Sequence, residues 1–128
     1  MTRILIADDS PPVRQGLRNL LKGHADWEIC GEAVDGQDAI AKARRLAPDV
    51  IVLDYLMPAM DGIEAARKIS SVSPTTSILL FSMYMDSQLA KLARNAGISA
   101  VLSKSNAGQV VNGIDAMLRG ETFCASKI

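Results

Sequence analysis

This sequence has no net charge, only two cysteines and no long apolar run. Its 14 basic residues are matched by 14 acidic ones, and the formal net charge is zero. No basic run indicates a surface for nucleic acid. The two cysteines, Cys30 and Cys124, lack the spacing of a metal site, so we interpret both as reduced packing residues.

Membrane and export signals are also missing from the pattern. No apolar stretch reaches the length that a membrane-spanning helix needs. Residues 1–3 run directly into a predicted strand, which leaves no room for a signal peptide. We therefore expect a cytoplasmic protein.

What the chain does have is enough aliphatic sequence for one core. Its 128 residues suffice for a single domain. The hydrophobic fraction is 48% and the aromatic fraction only 4%, which favours a core of Val, Ile, Leu and Ala. Residues 121–128 are weakly patterned and are interpreted as a C-terminal tail or the start of a linker.

Apolar runs alternate with helical patterns five times. Strands are predicted near residues 3–7, 27–34, 49–53, 76–81 and 98–102, and helices near 11–22, 36–47, 61–71, 86–96 and 106–119. Four of the strands are continuous apolar runs, typical of strands that are covered on both faces. The run 27–34 alternates instead, which predicts an edge strand. Strands that alternate with helices imply right-handed crossovers and a parallel sheet, so we predict an α/β protein, a (βα)5 three-layer sandwich.

Polar residues follow four of these apolar runs, where each predicted strand ends. They are Asp8 with Asp9, then Asp54, Ser82 and Lys104. Because parallel strands bring their carboxyl ends to one edge of a sheet, where ligands bind in open α/β folds, these groups are expected to share a pocket. Three carboxylates held close together repel one another and so imply a cation, and hard oxygen ligands suit Mg²⁺.

The same set of groups suits phosphoryl chemistry. A carboxylate such as Asp54 can attack a phosphoryl donor to form an acyl phosphate. Lys104 and Ser82 would then hold phosphoryl oxygens, since proteins catalyse this transfer mainly by positioning and charge neutralisation. Taken singly, each residue has a plainer interpretation: a helix cap, a turn residue or a solvated charge. Their joint placement at four strand ends favours the functional interpretation.

With these residues, the sequence resembles the receiver domain of two-component response regulators. The similarity covers nearly the whole chain and is carried by residues 4–10 (ILIADDS), 48–54 (PDVIVLD), 57–62 (MPAMDG), Ser82 and Lys104. It implies a flavodoxin-like fold with strand order 2-1-3-4-5. It also implies Asp54 as the phosphoacceptor, with Ser82 and Lys104 binding the phosphoryl group. The implied Mg²⁺ ligands are Asp8, which acts through water, Asp9, Asp54 and the backbone carbonyl of Leu56.

The resemblance further implies partners and an organisation. The phosphoryl donor would be a sensor histidine kinase, and the domain would be a regulatory phosphoprotein rather than an enzyme. The segments 48–50 (PDV) and 57–62 (MPAMDG) resemble the NarL/FixJ-type subfamily. In that subfamily a receiver, here residues 1–120, usually precedes a helix-turn-helix DNA-binding domain involved in transcription regulation. No such domain is expected within these residues, so the chain is interpreted as either a single-domain regulator or a receiver excised from a longer protein. A homodimer through helices 1 and 5 is a further expectation.

Three positions bear on how such a domain would switch and how long it would stay phosphorylated. Val101 stands where the family usually has an aromatic residue that swings inward, a movement that valine cannot make. Tyr84 either reorients in its place or merely covers apolar surface. Leu56 and Tyr84, two residues past Asp54 and Ser82, are bulky and would exclude water, which predicts slow self-dephosphorylation.

Two other classes of protein fit part of the pattern. A Mg²⁺-dependent phosphohydrolase would want a second acid near its nucleophile, but Tyr55 and Leu56 follow Asp54. A degenerate receiver that only binds proteins is argued against by the complete polar set and mildly favoured by Val101.

Overall fold

The computed structural model describes residues 1–125, which form one parallel sheet with helices on both faces. The strands are β1 (Thr2–Ala7), β2 (Trp27–Ala33), β3 (Val50–Asp54), β4 (Ser77–Ser82), β5 (Ala100–Ser103) and β6 (Phe123–Ala125). The helices are α1 (Pro11–Leu21), α2 (Gly36–Leu46), α3 (Gly62–Val72), α4 (Ser87–Asn95) and α5 (Val110–Leu118). The strand order is β2-β1-β3-β4-β5-β6. The prediction of a flavodoxin-like three-layer α/β sandwich is confirmed.

The strands β1 to β5 each contribute to two cores because their side chains alternate between the faces of the sheet. In β1, Leu5 and Ala7 pack with α2, α3 and α4, whereas Ile4 and Ile6 pack with α1 and α5. All four side chains are essentially fully buried. The continuous apolar runs therefore mark strands covered on both faces, and the alternating β2 lies at the sheet edge as predicted.

The helices begin where the sequence offers a capping side chain. Ser10, Asp35, Asp61 and Asp86 each accept a hydrogen bond from a backbone N–H three residues later. These caps fix the point at which the chain turns from the sheet edge into α1, α2, α3 and α4. Among the described residues, no helix is long and apolar enough to cross a membrane.

The sheet has a sixth strand that the sequence pattern did not predict. Residues 123–125 fall in the weakly patterned tail, yet they pair in parallel with β5. Gly120 reverses the chain after α5 with a positive φ of 78°. The ring of Phe123 then packs against α5 at Gly113, where a Cβ would lie 3.3 Å from the ring. Burial of this ring explains why a short, weakly patterned segment joins the sheet.

The predicted start of the last helix is wrong. Residues 104–109 form a 3₁₀ segment, and regular α5 begins only at Val110. Asn106 interrupts the helical backbone with φ −114° and ψ 40°. The Ser103 hydroxyl accepts a hydrogen bond from the Ser105 amide at 3.2 Å, so a local serine turn replaces the first turn of the helix. This turn sets where Lys104 leaves the sheet.

Candidate functional site

The registers of neighbouring strands bring the predicted polar residues to within two residues of one another along the strand direction at the sheet edge. Ala7, directly before Asp8, pairs with Leu53, directly before Asp54. Asp54 in turn pairs with Phe81 of β4, and Ser82 pairs with Ser103, directly before Lys104. Parallel pairing without offset between these strands therefore places all of these side chains at the carboxyl edge.

Three carboxylates converge at this edge. Asp8, Asp9 and Asp54 each offer an oxygen atom, and these atoms all lie within 4.8 Å of one another. Asp8 and Asp54 are buried, with 1% and 3% of their surface exposed, whereas Asp9 faces solvent. Asp8 Oδ1 accepts a hydrogen bond from the Ser10 amide at 2.9 Å. Asp8 Oδ2 is buried without an aligned hydrogen-bond partner, and the positive charge it meets is that of Lys104.

Lys104 supplies the positive charge on the other side of the carboxylates. Its Nζ lies 2.9 Å from Asp8 Oδ2 and 3.1 Å from Asp54 Oδ1. The contact with Asp8 is a pairing of opposite charges rather than an aligned hydrogen bond. The same Nζ lies 5.8 Å from the centroid of the Phe81 ring. Only 13% of the lysine side chain is exposed, so the ion pairs are largely protected from water.

These surroundings change the pKa values of both Asp54 and Lys104. Burial, with a further contribution from the charge of Asp8, raises the pKa of Asp54 from 3.8 to about 6, even though Lys104 opposes the change. Burial on its own would lower the pKa of Lys104. The close contacts with the Asp8 and Asp54 carboxylates and their negative charges outweigh that effect and raise the pKa of Lys104. One ammonium group therefore does not fully offset the crowding of carboxylates, as expected of a site that takes a further cation.

Ser82 lies at the same edge, but its hydroxyl is engaged in its own loop. Ser82 Oγ donates to the Tyr84 carbonyl oxygen at 2.6 Å and accepts from the Tyr84 amide at 3.1 Å. The residue is fully buried, whereas 70% of Tyr84 is exposed. The structure thus brings the three carboxylates together, pairs Lys104 with Asp8 and Asp54, and holds the Ser82 hydroxyl in a local turn at the same edge.

Two further residues singled out from the sequence have contrasting surroundings. Leu56 is 53% exposed and stands in the loop after β3. Val101 is buried in the core with Leu89 and Ala93 of α4. The Val101 side chain is thus shielded from solvent, whereas the Tyr84 side chain is exposed to it.

Arg14 was not among the residues singled out from the sequence, yet its side chain contacts the backbone of the acidic site at Asp8. Its Nη1 donates to the Asp8 carbonyl oxygen at 2.8 Å, and its Nε donates to Glu32 at 3.0 Å. In the sequence an arginine in the first turns of a helix reads as a solvated side chain. Only the approach of α1 to the ends of β1 and β2 places it here, so the pattern offered no signal.

Comparison with known proteins agrees with this arrangement. The family model described as the response regulator receiver domain matches residues 4–114. The transcriptional regulatory protein LiaR of Bacillus subtilis (strain 168) is 36% identical over 129 residues, covering 100% of this chain and 61% of LiaR. The response regulator protein VraR of Staphylococcus aureus (strain NCTC 8325 / PS 47) is 34% identical over 121 residues, covering 94% of this chain and 58% of VraR. The chain thus spans about three fifths of the length of these curated relatives.

Solved structures resemble the fold closely. A crystal structure of a two-component response regulator of the LuxR family, from Aurantimonas sp. SI85-9A1, superimposes with a TM-score of 0.91. It is 35% identical, and the match covers 96% of this chain and 89% of that one. With the family model matching most of the sequence and the acidic cluster at the carboxyl edge of the sheet, the chain belongs to the response regulator receiver domain family of two-component systems.

Proposed function

We propose that Asp54 accepts a phosphoryl group from a phosphohistidine of a sensor histidine kinase. The observation that carries this proposal is the convergence of three carboxylate oxygens within 4.8 Å on an ammonium group that contacts two of those side chains. An Asp54 oxygen would attack phosphorus while the phosphorus–nitrogen bond to imidazole breaks and the ring keeps the bonding electrons. The result is an aspartyl phosphate.

The residues around Asp54 have separable tasks in this reaction. The attacking carboxylate must be ionised, which its pKa of about 6 allows at neutral pH. Lys104 would leave its contact with Asp54 to hold a phosphoryl oxygen, and Ser82 would donate its hydroxyl to another. Asp8, Asp9, Asp54 and the Leu56 carbonyl would hold Mg²⁺, whose oxygen-ligand preference they match. When bound, the ion would neutralise charge on the transferring group.

The wider organisation is also a proposal. The relatives LiaR and VraR are named as a transcriptional regulatory protein and a response regulator, and this chain covers about three fifths of each. We infer that residues 1–120, completed by β6 at residues 123–125, act as a receiver whose phosphorylation controls an output domain that binds DNA. A homodimer through α1 and α5 fits that organisation, since both helices lie on the same face of the sheet.

Labelling with acetyl phosphate and Mg²⁺ tests the proposed phosphoacceptor. The parent protein is expected to gain the mass of one phosphoryl group, and Asp54→Asn is expected to gain none. Asp26→Asn, which changes an exposed aspartate away from the site, is the matched control and should label like the parent. Equal labelling of Asp54→Asn would contradict the proposal. Continuous turnover of small phosphoesters would indicate a phosphohydrolase. If the parent protein takes up no label, the chain would be a receiver that only binds proteins.

The exposed side chains at the rim predict a long-lived phosphoryl group. Leu56 and Tyr84 stand two residues beyond Asp54 and Ser82, where they would hinder an attacking water molecule. The variant Leu56→Asn, Tyr84→Ala is therefore expected to lose phosphate faster than the parent, by about tenfold if one hydrogen-bonded water is admitted. Decay of the phosphoprotein followed by mass spectrometry measures the rate. Leu118→Asn, an exposed leucine of α5, controls for the substitution. Unchanged decay of the double variant would contradict this explanation.

A further inference from the structure

The peptide that joins Asp8 to Asp9 lies beyond the regular sheet. Ladder pairing of β1 with β2 ends at Ala7 and Ala33, and pairing with β3 ends at Ala7 and Leu53. The Asp8 amide still donates to the Ala33 carbonyl at 3.1 Å, but its carbonyl has left the sheet. Some other group must fix the orientation of this peptide if both carboxylates are to face the same site.

Arg14 of α1 supplies that group. Its Nη1 donates to the Asp8 carbonyl oxygen at 2.8 Å, and its side chain is only 17% exposed. Because the Asp8 carbonyl belongs to the Asp8–Asp9 peptide, this hydrogen bond restricts both ψ of Asp8 and φ of Asp9. The directions in which the two carboxylates leave the backbone are thereby restricted as well.

The guanidinium is itself held from β2. Its Nε donates to Glu32 Oε1 at 3.0 Å, and the other oxygen of Glu32 accepts from Arg18, one turn further along α1. Glu32 directly precedes Ala33, which accepts the Asp8 amide. Two donors of one rigid fork thus connect the end of β2 to the Asp8 carbonyl, a geometry that a lysine could only half reproduce.

A purely structural role would be shared by both arginines. Arg14 and Arg18 each attach α1 to Glu32, but the hydrogen bond to the Asp8 carbonyl belongs to Arg14. Both arginines lie in α1 and both bind Glu32, but they differ in their contact with the acidic site. Comparing their variants therefore separates a structural role from a role at that site.

We propose that Arg14 is a positioning residue for the Mg²⁺ site, acting through the Asp8–Asp9 peptide. The inference rests on the proposed function, because it concerns the ion that Asp8 and Asp9 would hold. Groups that orient metal ligands from outside typically change metal affinity by 10- to 100-fold when removed. Arg14 is expected to act in that range, while the guanidinium itself never touches the ion.

The test compares Mg²⁺ affinity with stability in two matched variants. Isothermal titration with MgCl₂ gives the dissociation constant, and urea unfolding with EDTA present gives the stability of the metal-free fold. Arg14→Ala is expected to raise the dissociation constant about tenfold or more. Arg18→Ala is expected to leave it within about twofold of the parent, the ordinary scatter between near-neutral variants. Both variants lose an ion pair to Glu32, so both should lose some stability.

The conservative variant separates orientation from folding. Arg14→Lys keeps one donor toward the Asp8 carbonyl, and we expect it to recover part of the lost Mg²⁺ affinity. If Arg14→Ala does not fold, Arg14→Lys still tests the proposal, because Arg14→Lys should bind Mg²⁺ more weakly than Arg18→Ala does. An unchanged dissociation constant in Arg14→Ala, or equal weakening in Arg18→Ala, would overturn the proposal. A parent protein that binds no Mg²⁺ would instead overturn the proposed function.

Discussion

Replacing Lys104 with methionine is expected to lower the free energy of unfolding of the metal-free protein by about 3 kcal/mol near neutral pH. The lysine contacts both buried carboxylates, with Nζ 2.9 Å from Asp8 and 3.1 Å from Asp54. Methionine keeps most of the aliphatic bulk but removes the charge. The variant would leave three neighbouring carboxylates without a cation, and removal of one partner from a buried ion pair is far more costly than loss of a surface pair.

The expected loss of stability depends on pH in a defined direction. In the parent, Asp54 has a pKa of about 6 in the folded state, above the usual 3.8. Because the folded state holds the proton more tightly, stability from this group is fully present below 3.8 and decreases as pH rises through 6. Removing Lys104 raises the folded-state pKa further and extends this loss to higher pH. The deficit of Lys104→Met should therefore be small at acidic pH and largest above neutrality.

Urea unfolding in EDTA at acidic, neutral and mildly alkaline pH measures this effect. Lys68→Met is the matched control, because Lys68 pairs with Glu64 on the exposed surface of α3 and should cost less than about 1 kcal/mol at any pH. Adding Asp54→Asn to Lys104→Met removes one of the crowded charges and should recover part of the stability. A deficit of Lys104→Met that does not grow with pH would contradict the electrostatic explanation.

Gly62→Ala is expected to destabilise the fold by about 3 kcal/mol and to impair the site as well. A Cβ at Gly62 would lie 2.5 Å from the Asp54 carbonyl oxygen, 2.8 Å from Leu80 Cδ1 and 2.9 Å from the Tyr55 Cα. Two of these atoms are backbone, so a change of side-chain rotamer cannot relieve the contact. The Gly62 amide also donates to the Tyr55 carbonyl at 2.7 Å. The start of α3 would have to move away from the end of β3, which carries Asp54.

Gly16→Ala provides the opposite case in the same protein. Gly16 lies inside α1, and a Cβ there would have no atom within 4 Å. Alanine should therefore stabilise the helix by about 0.5–1 kcal/mol. Urea unfolding of both variants, together with the rate of labelling by acetyl phosphate, measures the contrast. A Gly62→Ala protein as stable and as readily labelled as the parent would show that α3 can shift without disturbing Asp54.

The sequence determined the parts of this fold that depend on repeated local signals. Continuous apolar runs such as residues 50–53 mark strands that are covered by helices on both faces of the sheet. The starts of the helices are marked by the capping aspartates Asp35, Asp61 and Asp86. The ends of those strands predicted the position of Asp8, Asp54 and Lys104 at one edge, because parallel strands impose that geometry. These inferences need only the period of the pattern and the direction of the chain.

Most of what the sequence missed depends on contacts between segments that are distant along the chain. β6 joins the sheet because the Phe123 ring finds space over Gly113, which no local pattern encodes. The late start of α5 follows from the side-chain hydrogen bond between Ser103 and the Ser105 amide. Arg14 reaches the Asp8 carbonyl only after α1 has packed beside β1 and β2. For β6 and Arg14 a tertiary contact decides the outcome, whereas α5 starts late because a local serine turn competes with its first helical turn.

The Ser82 hydroxyl has a single proton, and the loop after β4 already uses it. That proton goes to the Tyr84 carbonyl, so donation to a phosphoryl oxygen on Asp54 would require this hydrogen bond to break. Phosphorylation would then remove one of the two hydrogen bonds by which Ser82 holds Tyr84 in its present place. Since Val101 has no ring that could move, we propose that the exposed ring of Tyr84 is the side chain whose surroundings would change when this hydrogen bond breaks.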